Sequence, residues 1–506
     1  MAVDRPYPGS VIGHLVEGVQ RSAHIAAHDA VYLGYAARWR LPLAEKERLH
    51  FPEFSTLVRP LPPSLETHAE FAVSGVIEKE GKTIAASLPQ SICKALGLTA
   101  KNAQIIDVLK GSEHTKAGIV VLHVSKFGQT GDIVVKFGPD VEKEPHTTRL
   151  AKEGPVGKMG GMILPGVSHV ERNVTDVHFL AMPLVPQSYK SMRELLDTEQ
   201  VPPRTARRWA NRITVLNAIG MKDRLDRNFT GERTSMQFSE LDSYRSGLAL
   251  AAKWLGIALE KQGISIPPHE VWNMPLRLDG ANRREYPSLS GLEARMLQIL
   301  HKAETTPFVA VGYNEDIANK NYHANKKGVI AAELDHGYAA ESHQGTLVAV
   351  ALALAAKSLN TGSVKTNRTP LQFRLEERLH APILTVAGVP TDYALPAKAY
   401  HEHAMSCLPR LARRIVGRKD APELLAQTYE HLGVNYINTM GSVARKLEEA
   451  SSQAEEVRLT KLLLHGWAQV GDMLFQADGV RQERAMAQRR SVRVALESLG
   501  KVAAML

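Results

Sequence analysis

Asp316 and Asn321 stand five residues apart in the polar string Asn314-Glu-Asp316-Ile-Ala-Asn-Lys-Asn321-Tyr322, and Asp335 follows fourteen residues later. Between them runs an apolar stretch from Val329 that opens at Gly328, so the spacing predicts a hairpin carrying three oxygen-bearing side chains. Phosphoryl transfer uses such a grouping. One carboxylate orients the attacking hydroxyl and accepts its proton, while an amide and a second carboxylate hold Mg²⁺ against the phosphates. Gly337, two residues after Asp335, lets the backbone turn sharply there.

The pattern D-x-x-x-x-N followed by D-x-G resembles the catalytic and metal-binding loops of the protein-kinase-like superfamily. The histidine usual in the first loop is replaced by Asn314, and His336 stands where protein kinases have Phe. The N-x-D-x-x-x-K-N-aromatic string looks like the branch of HipA-type kinases and phosphatidylinositol 3/4-kinases, and the looser D-x-G like that of atypical and small-molecule kinases. The resemblance implies an α+β, kinase-like bilobal fold that binds ATP and Mg²⁺ and phosphorylates a hydroxyl of a protein Ser/Thr or of a small molecule.

The resemblance also assigns roles upstream. Lys136 in Ile133-Val-Val-Lys136-Phe137 corresponds to the strand lysine on the α- and β-phosphates, and Glu153 to its carboxylate partner. Met182 and Leu184, in Met182-Pro-Leu184-Val185, fall at the hinge that receives adenine. Gly111 and Ser112 lie in the segment where a phosphate-covering loop belongs; they break the G-x-G-x-x-G pattern but retain backbone N–H groups for phosphate. Asp316 is then the orienting carboxylate, and Asn321 and Asp335 the metal ligands. The broken glycine pattern leaves an alternative, a catalytically inactive pseudokinase that serves as a nucleotide- or protein-binding scaffold.

Four segments are expected to position these residues. A helical arm spans 1–65 and ends at the prolines of Arg59-Pro-Leu-Pro-Pro63. A β-rich lobe with a small, mostly antiparallel sheet covers 70–188, with one helix near Thr147 to Glu153. A helical lobe with insertions covers 189–400. Its helices are expected over Arg204–Asp226 and Glu240–Gly263, followed by a long surface excursion from Pro267 to Ser290 and a short β island from Phe308 to Ala340. Beyond that island the chain reads as almost wholly helical. A helical module over 401–506, apolar at Leu424, Leu425, Tyr429 and Leu432, is expected to pack on the rest of the chain or on a protein partner.

With 506 residues, 44% hydrophobic and 6% aromatic, the chain is long enough for several domains and too poor in aromatics for an all-β fold. The longest apolar run, Leu347 to Ala356, is about half of what a bilayer requires, so no transmembrane segment is expected. The opening MAVDRPYPGSV has no secretory pattern, and the two cysteines, Cys93 and Cys407, form no CxxC. A reducing, cytoplasmic setting is the expectation. The net charge of +9 suits polyanionic ligands, yet no nucleic-acid reader motif accompanies it. His401-Glu-His403 lacks the spacing of a zinc motif, and no G-x-S-x-G elbow or phosphate loop ending in Lys-Ser/Thr occurs.

Overall fold

The computed structural model describes residues 49, 51–79, 81–110, 118–138, 141, 167–169, 178–226, 241–279, 284–305, 313–314, 322–333, 339–340, 349, 352–359, 361–366, 369–378, 382–390 and 392–503. The arm before residue 49 lies outside them, as do Gly111, Ser112, Glu153, Asp316, Asn321 and Asp335.

The architecture is mixed α+β, with an antiparallel sheet in the N-terminal part and a larger, mainly helical C-terminal part. Short helices α1 (Phe54–Leu57) and α2 (Pro63–Glu66) precede a hairpin of β1 (Ser74–Lys79) and β2 (Lys82–Ser87), and α3 (Gln90–Ala95) leads into the main sheet. That sheet comprises β3 (Ala103–Lys110), β4 (Gly118–Lys126), β5 (Gln129–Phe137), β6 (Val167–His169) and β7 (Phe179–Pro183), in the order β3-β4-β5-β7-β6. Every pairing in it is antiparallel. Phe127 and Gly128, both at positive φ (53° and 76°), close the β4–β5 hairpin as a two-residue turn whose twist matches the strands. Ile133 and Val135 point from β5 into a core shared with Phe54, Leu57, Ile92, Leu122 and Phe179, so α1 and α3 seal one face of the sheet. Lys126, carried into that seal, donates to the Leu96 and Arg59 carbonyls, and burial pulls its ammonium down to about 8.

From β7 the chain passes to β8 (Lys190–Ser191) and α4 (Met192–Asp197), where the Ser191 hydroxyl caps the helix by accepting from Glu194 N–H at 3.1 Å. Next come α5 (Pro203–Asp226), α6 (Leu241–Glu260), α7 (Pro268–Asn273), β9 (Leu276–Leu278), β10 (Glu285–Tyr286) and α8 (Leu289–Thr305). The β island contains β11 (Tyr313–Asn314), β12 (Tyr322–Ala324), β13 (Ile330–Glu333) and β14 (Ala339–Ala340). Strands β15 (Gln372–Glu376) and β16 (Ile383–Ala387) precede α9 (Leu395–Glu448), kinked at Gly417 (φ 81°, ψ 173°), and α10 (Gln453–Ala503).

Two expectations fail here. The stretch from Pro267 to Ser290 is no surface excursion: Val271, Met274, Leu276 and Leu289 are fully buried. The chain after residue 340 is not almost wholly helical either. β15 and β16 join β9 and β10 in a four-stranded sheet, ordered β10-β9-β16-β15, with β16 parallel to β9. Helices α9 and α10 form the backbone of the C-terminal part. α9 packs on α10, α5 and α6, and it begins before residue 400, so it runs across the boundary expected there. One core joins Trp209, Ile213, Tyr322, Tyr400 and Leu408; a second joins Leu255, Leu292, Leu384, Ile437 and Trp467. No helix among the described residues is long and apolar enough to cross a membrane.

Candidate active site

The alternation of β5 divides its residues between two faces. Ile133 and Val135 serve the core, which leaves Asp132, Val134 and Lys136 on the opposite face, with Lys136 half-buried. Antiparallel register places Val121 and Ile119 of β4, and Met182 and Leu180 of β7, directly beside Val134 and Lys136 on that face. Leu180 packs there with buried Val141 and half-buried Met182. The result is an apolar floor bounded at one end by a lysine.

The two ends of this floor are chemically distinct. At the Lys136 end one row crosses the sheet, Lys110 against Ile119, Ile119 against Lys136 and Lys136 against Leu180. The chain leaves β3 at Lys110, one strand removed from Lys136, and re-enters β4 at Gly118, opposite Phe137; Gly111 and Ser112 belong by sequence to that connection. At the other end Leu184 N–H donates to the Asp132 carbonyl at 3.0 Å, and His123 Nδ1 lies 2.7 Å from Asp132 Oδ1. The four-residue advance from Asp132 to Lys136 spans roughly 13 Å of strand. A planar heterocycle at the Leu184 end and a chain of phosphates running towards Lys136 match that length and polarity.

The β island carries the other half of the site. Tyr322 pairs with Glu333 and His323 with Ala332, while Asn314 pairs with Ala339 and Tyr313 with Ala340. Both connections, 315–321 and 334–338, thus leave from and return to paired strand ends. Asn321 immediately precedes Tyr322, Asp335 comes two residues after Glu333, and Asp316 two after Asn314. The side chains of Asp316, Asn321, Asp335, Glu153, Gly111 and Ser112 themselves lie outside the described residues. Among the described residues no group of three or more His, Cys, Asp or Glu could hold a metal ion.

The island is fixed from below and from the side. Tyr322, Ala324 and Ile330 are buried in the first helical core, and Trp209 Nε1 donates to the Gly328 carbonyl at 2.9 Å. β8 pairs with β12, His323 against Ser191 and Ala324 against Lys190. The segment from Leu184 to Tyr189, turned by Tyr189 N–H donating to Pro186 O at 2.9 Å, leads from the Leu184 end of the floor to β8 and so to the island.

Sequence reasoning missed Val121, Val134, Val141 and Leu180 as floor residues. The β5 run Ile133-Val-Val135 is apolar on both faces, so the half-buried lysine at its end marks which face lies away from the α1–α3 core. Burial pushes His401 down to about 4, whereas His403 lines a cavity between α5 and α9.

Among solved structures, the chain is similar to an ethanolamine kinase of Plasmodium vivax, at 10% identity and a TM-score of 0.30, over 72% of this chain and 81% of that one. It is also similar to an aminoglycoside-3'-phosphotransferase of type VIII, at 13% identity and a TM-score of 0.26, over 72% of this chain and 94% of that one. No family model matches the chain, and no curated protein matches it in sequence.

Proposed function

We propose that the chain is an ATP- and Mg²⁺-dependent phosphotransferase acting on a hydroxyl acceptor, and that the sheet floor and the β island together form the cleft that serves as its active site. The observation that carries this reading is the paired bracketing of the two motif connections, Asn314 with Ala339 and Tyr322 with Glu333. A metal-binding pair and an orienting carboxylate drawn from separate stretches of sequence need such convergence, and ordinary polar turns do not. The Lys136 row and the apolar floor support it independently.

Adenine lies on Val121, Val134, Leu180 and Met182, beside Leu184, whose N–H is already held by the Asp132 carbonyl. Lys136 neutralises the α- and β-phosphates, Glu153 positions it, and the N–H groups at Gly111 and Ser112 face phosphate oxygens. Asn321 and Asp335, hard oxygen donors, hold the metal. Mg²⁺, when bound, supplies neutralisation of the β- and γ-phosphate oxygens. Asp316 orients the acceptor O–H and takes its proton as oxygen attacks the γ-phosphorus and the bond to ADP breaks. Assignment to the HipA-type and phosphatidylinositol 3/4-kinase branch rests on the Asn314 to Tyr322 string alone.

Incubation with ATP labelled separately on the α- and γ-phosphates tests the reading. Transfer of γ-label alone to a hydroxyl supports it, transfer of α-label makes the chain an adenylyltransferase, and nucleotide binding without transfer leaves the scaffold alternative.

A further inference from the structure

A second cavity, of about 580 Å³, opens where the first turns of α5, the β12–β13 turn and α9 meet. Its walls are unusually uniform in charge. Arg207, Arg208 and Arg212 reach it from α5, and His403 and Arg410 from α9, without an Asp or Glu among the lining residues. The spacing explains the convergence: 208 and 212 share one helical stripe, as do 403, 407 and 410. Gly328 completes the wall. Its φ of +94° and the 2.8 Å that would separate an added Cβ from Thr205 Cγ2 allow only glycine at this close approach.

Several arginines elsewhere in the chain pair with carboxylates. Arg481 clasps Glu430 through both carboxylate oxygens at 2.6 and 2.7 Å, and Arg295 reaches Glu430 and Asp478. The exposed Arg207 and Arg208 meet no carboxylate among the described residues, and Arg410 contacts the Cys407 thiol at 3.9 Å instead. Burial and the positive field of Arg207 and Arg410 push the His403 imidazole below its ordinary range. A cavity of this volume is of small-molecule size, and guanidinium forks match phosphoryl oxygens bidentately.

We propose that this cavity binds a small, multiply phosphorylated molecule at a site separate from the active-site cleft. The β12–β13 hairpin connects the two. Its turn lines the cavity, whereas the Tyr322–Glu333 end, roughly 10 Å along the strands, carries the motif connections. The inference does not rest on the kinase reading, since the cavity would take its ligand whether or not the cleft turns over ATP.

Calorimetric titration of the full chain with tripolyphosphate in EDTA tests it. One binding event per chain is expected, weakening as salt rises. R207A and R410A each weaken it about ten-fold or more, R207K keeps the charge but loses the fork and so weakens it less than R207A, and Lys136→Met leaves it unchanged. Both arginines are exposed, so a preserved thermal midpoint checks the fold. Absence of binding overturns the proposal, as does binding that survives R207A and R410A or is lost in Lys136→Met. Tighter, arginine-dependent binding of a single-stranded oligonucleotide would overturn it in favour of a nucleic-acid surface.

Discussion

A metal-ligating carboxylate and an orienting carboxylate act at different moments of a turnover, which gives their substitutions different signatures. Asp335→Asn is expected to abolish divalent-dependent ATP binding. Asp316→Asn should keep binding and lose about 10²-fold or more in transfer rate. Titration of ATP with Mg²⁺ or EDTA on both variants, alongside a turnover assay, separates the two; metal-independent binding with function intact in both would favour the scaffold. A second prediction at this scale concerns His465, which donates from Nδ1 to Pro390 O at 2.8 Å and receives the Tyr393 hydroxyl at Nε2 at 2.5 Å. Gln469 Nε2 donates to the same hydroxyl oxygen at 2.9 Å, so the network is satisfied only with a neutral imidazole. Burial accordingly pushes His465 down to about 4. Because the unfolded chain binds this proton at about 6.5 and the folded chain does not, stability is fully present above pH 6.5 and falls as pH drops towards 4. The loss is roughly 3 kcal/mol for this residue. His401 and His431, also pushed down to about 4, act in the same window. The thermal midpoint should decline from pH 7 to 4.5, and less steeply in His465→Gln; an equal slope in the variant would refute the assignment.

Helix α6 carries two glycines with opposite expectations. A Cβ at Gly247 would lie 2.7 Å from Gly441 Cα, where α6 crosses α9 backbone to backbone, whereas a Cβ at Gly256 meets nothing within 4 Å. Gly247→Ala should therefore force the helices apart and cost roughly 1–3 kcal/mol. Gly256→Ala should stabilise by about 0.5–1 kcal/mol through helix propensity. Urea melts of the two variants should shift in opposite directions. Helix α6 itself was plain in the sequence, because its apolar positions Leu248, Ala251, Ala252, Leu255 and Leu259 recur at helical spacing before Gly263 (φ 77°). Strands β3, β4 and β5 were plain for a similar reason, being runs rich in β-branched residues, and β7 as the apolar run Phe179-Leu-Ala-Met182. The sheet of β9, β10, β15 and β16 was not, since β9 and β10 have three and two residues and β9 pairs with a strand about a hundred positions away. Periodicity reports burial of a local face, and strands so short have almost no period to report. Among site residues, Lys136 announced itself through its polarity at the end of an apolar run. The basic cavity did not, because its arginines come from helices some two hundred residues apart. Arg481, by contrast, is spent on Glu430 and Glu423 inside the molecule.

Over the whole molecule, α9 and α10 are scaffold rather than appendage. Leu432, Ile437 and Met440 of α9 and Leu459, Leu463 and Trp467 of α10 belong to the second helical core, and Ala477 of α10 reaches the first. Truncation after Glu448 is therefore expected to destroy cooperative unfolding of the helical part rather than to release a folded remainder. Limited proteolysis of the full chain should leave α9 and α10 attached; rapid removal of this region with the rest intact would show an independent module. The β-rich part differs, because its core draws on residues Phe54 through Ala181 alone. A ribosome delivers residues in order, so that part can complete its core once β7 has emerged. Both helical cores must wait for α9, on which α5 and α6 pack, and until it appears the apolar stripes of those helices stand without their main partner. In the interval between the two events those apolar stripes face solvent, so pausing of translation before α9 is expected to raise aggregation of the nascent chain.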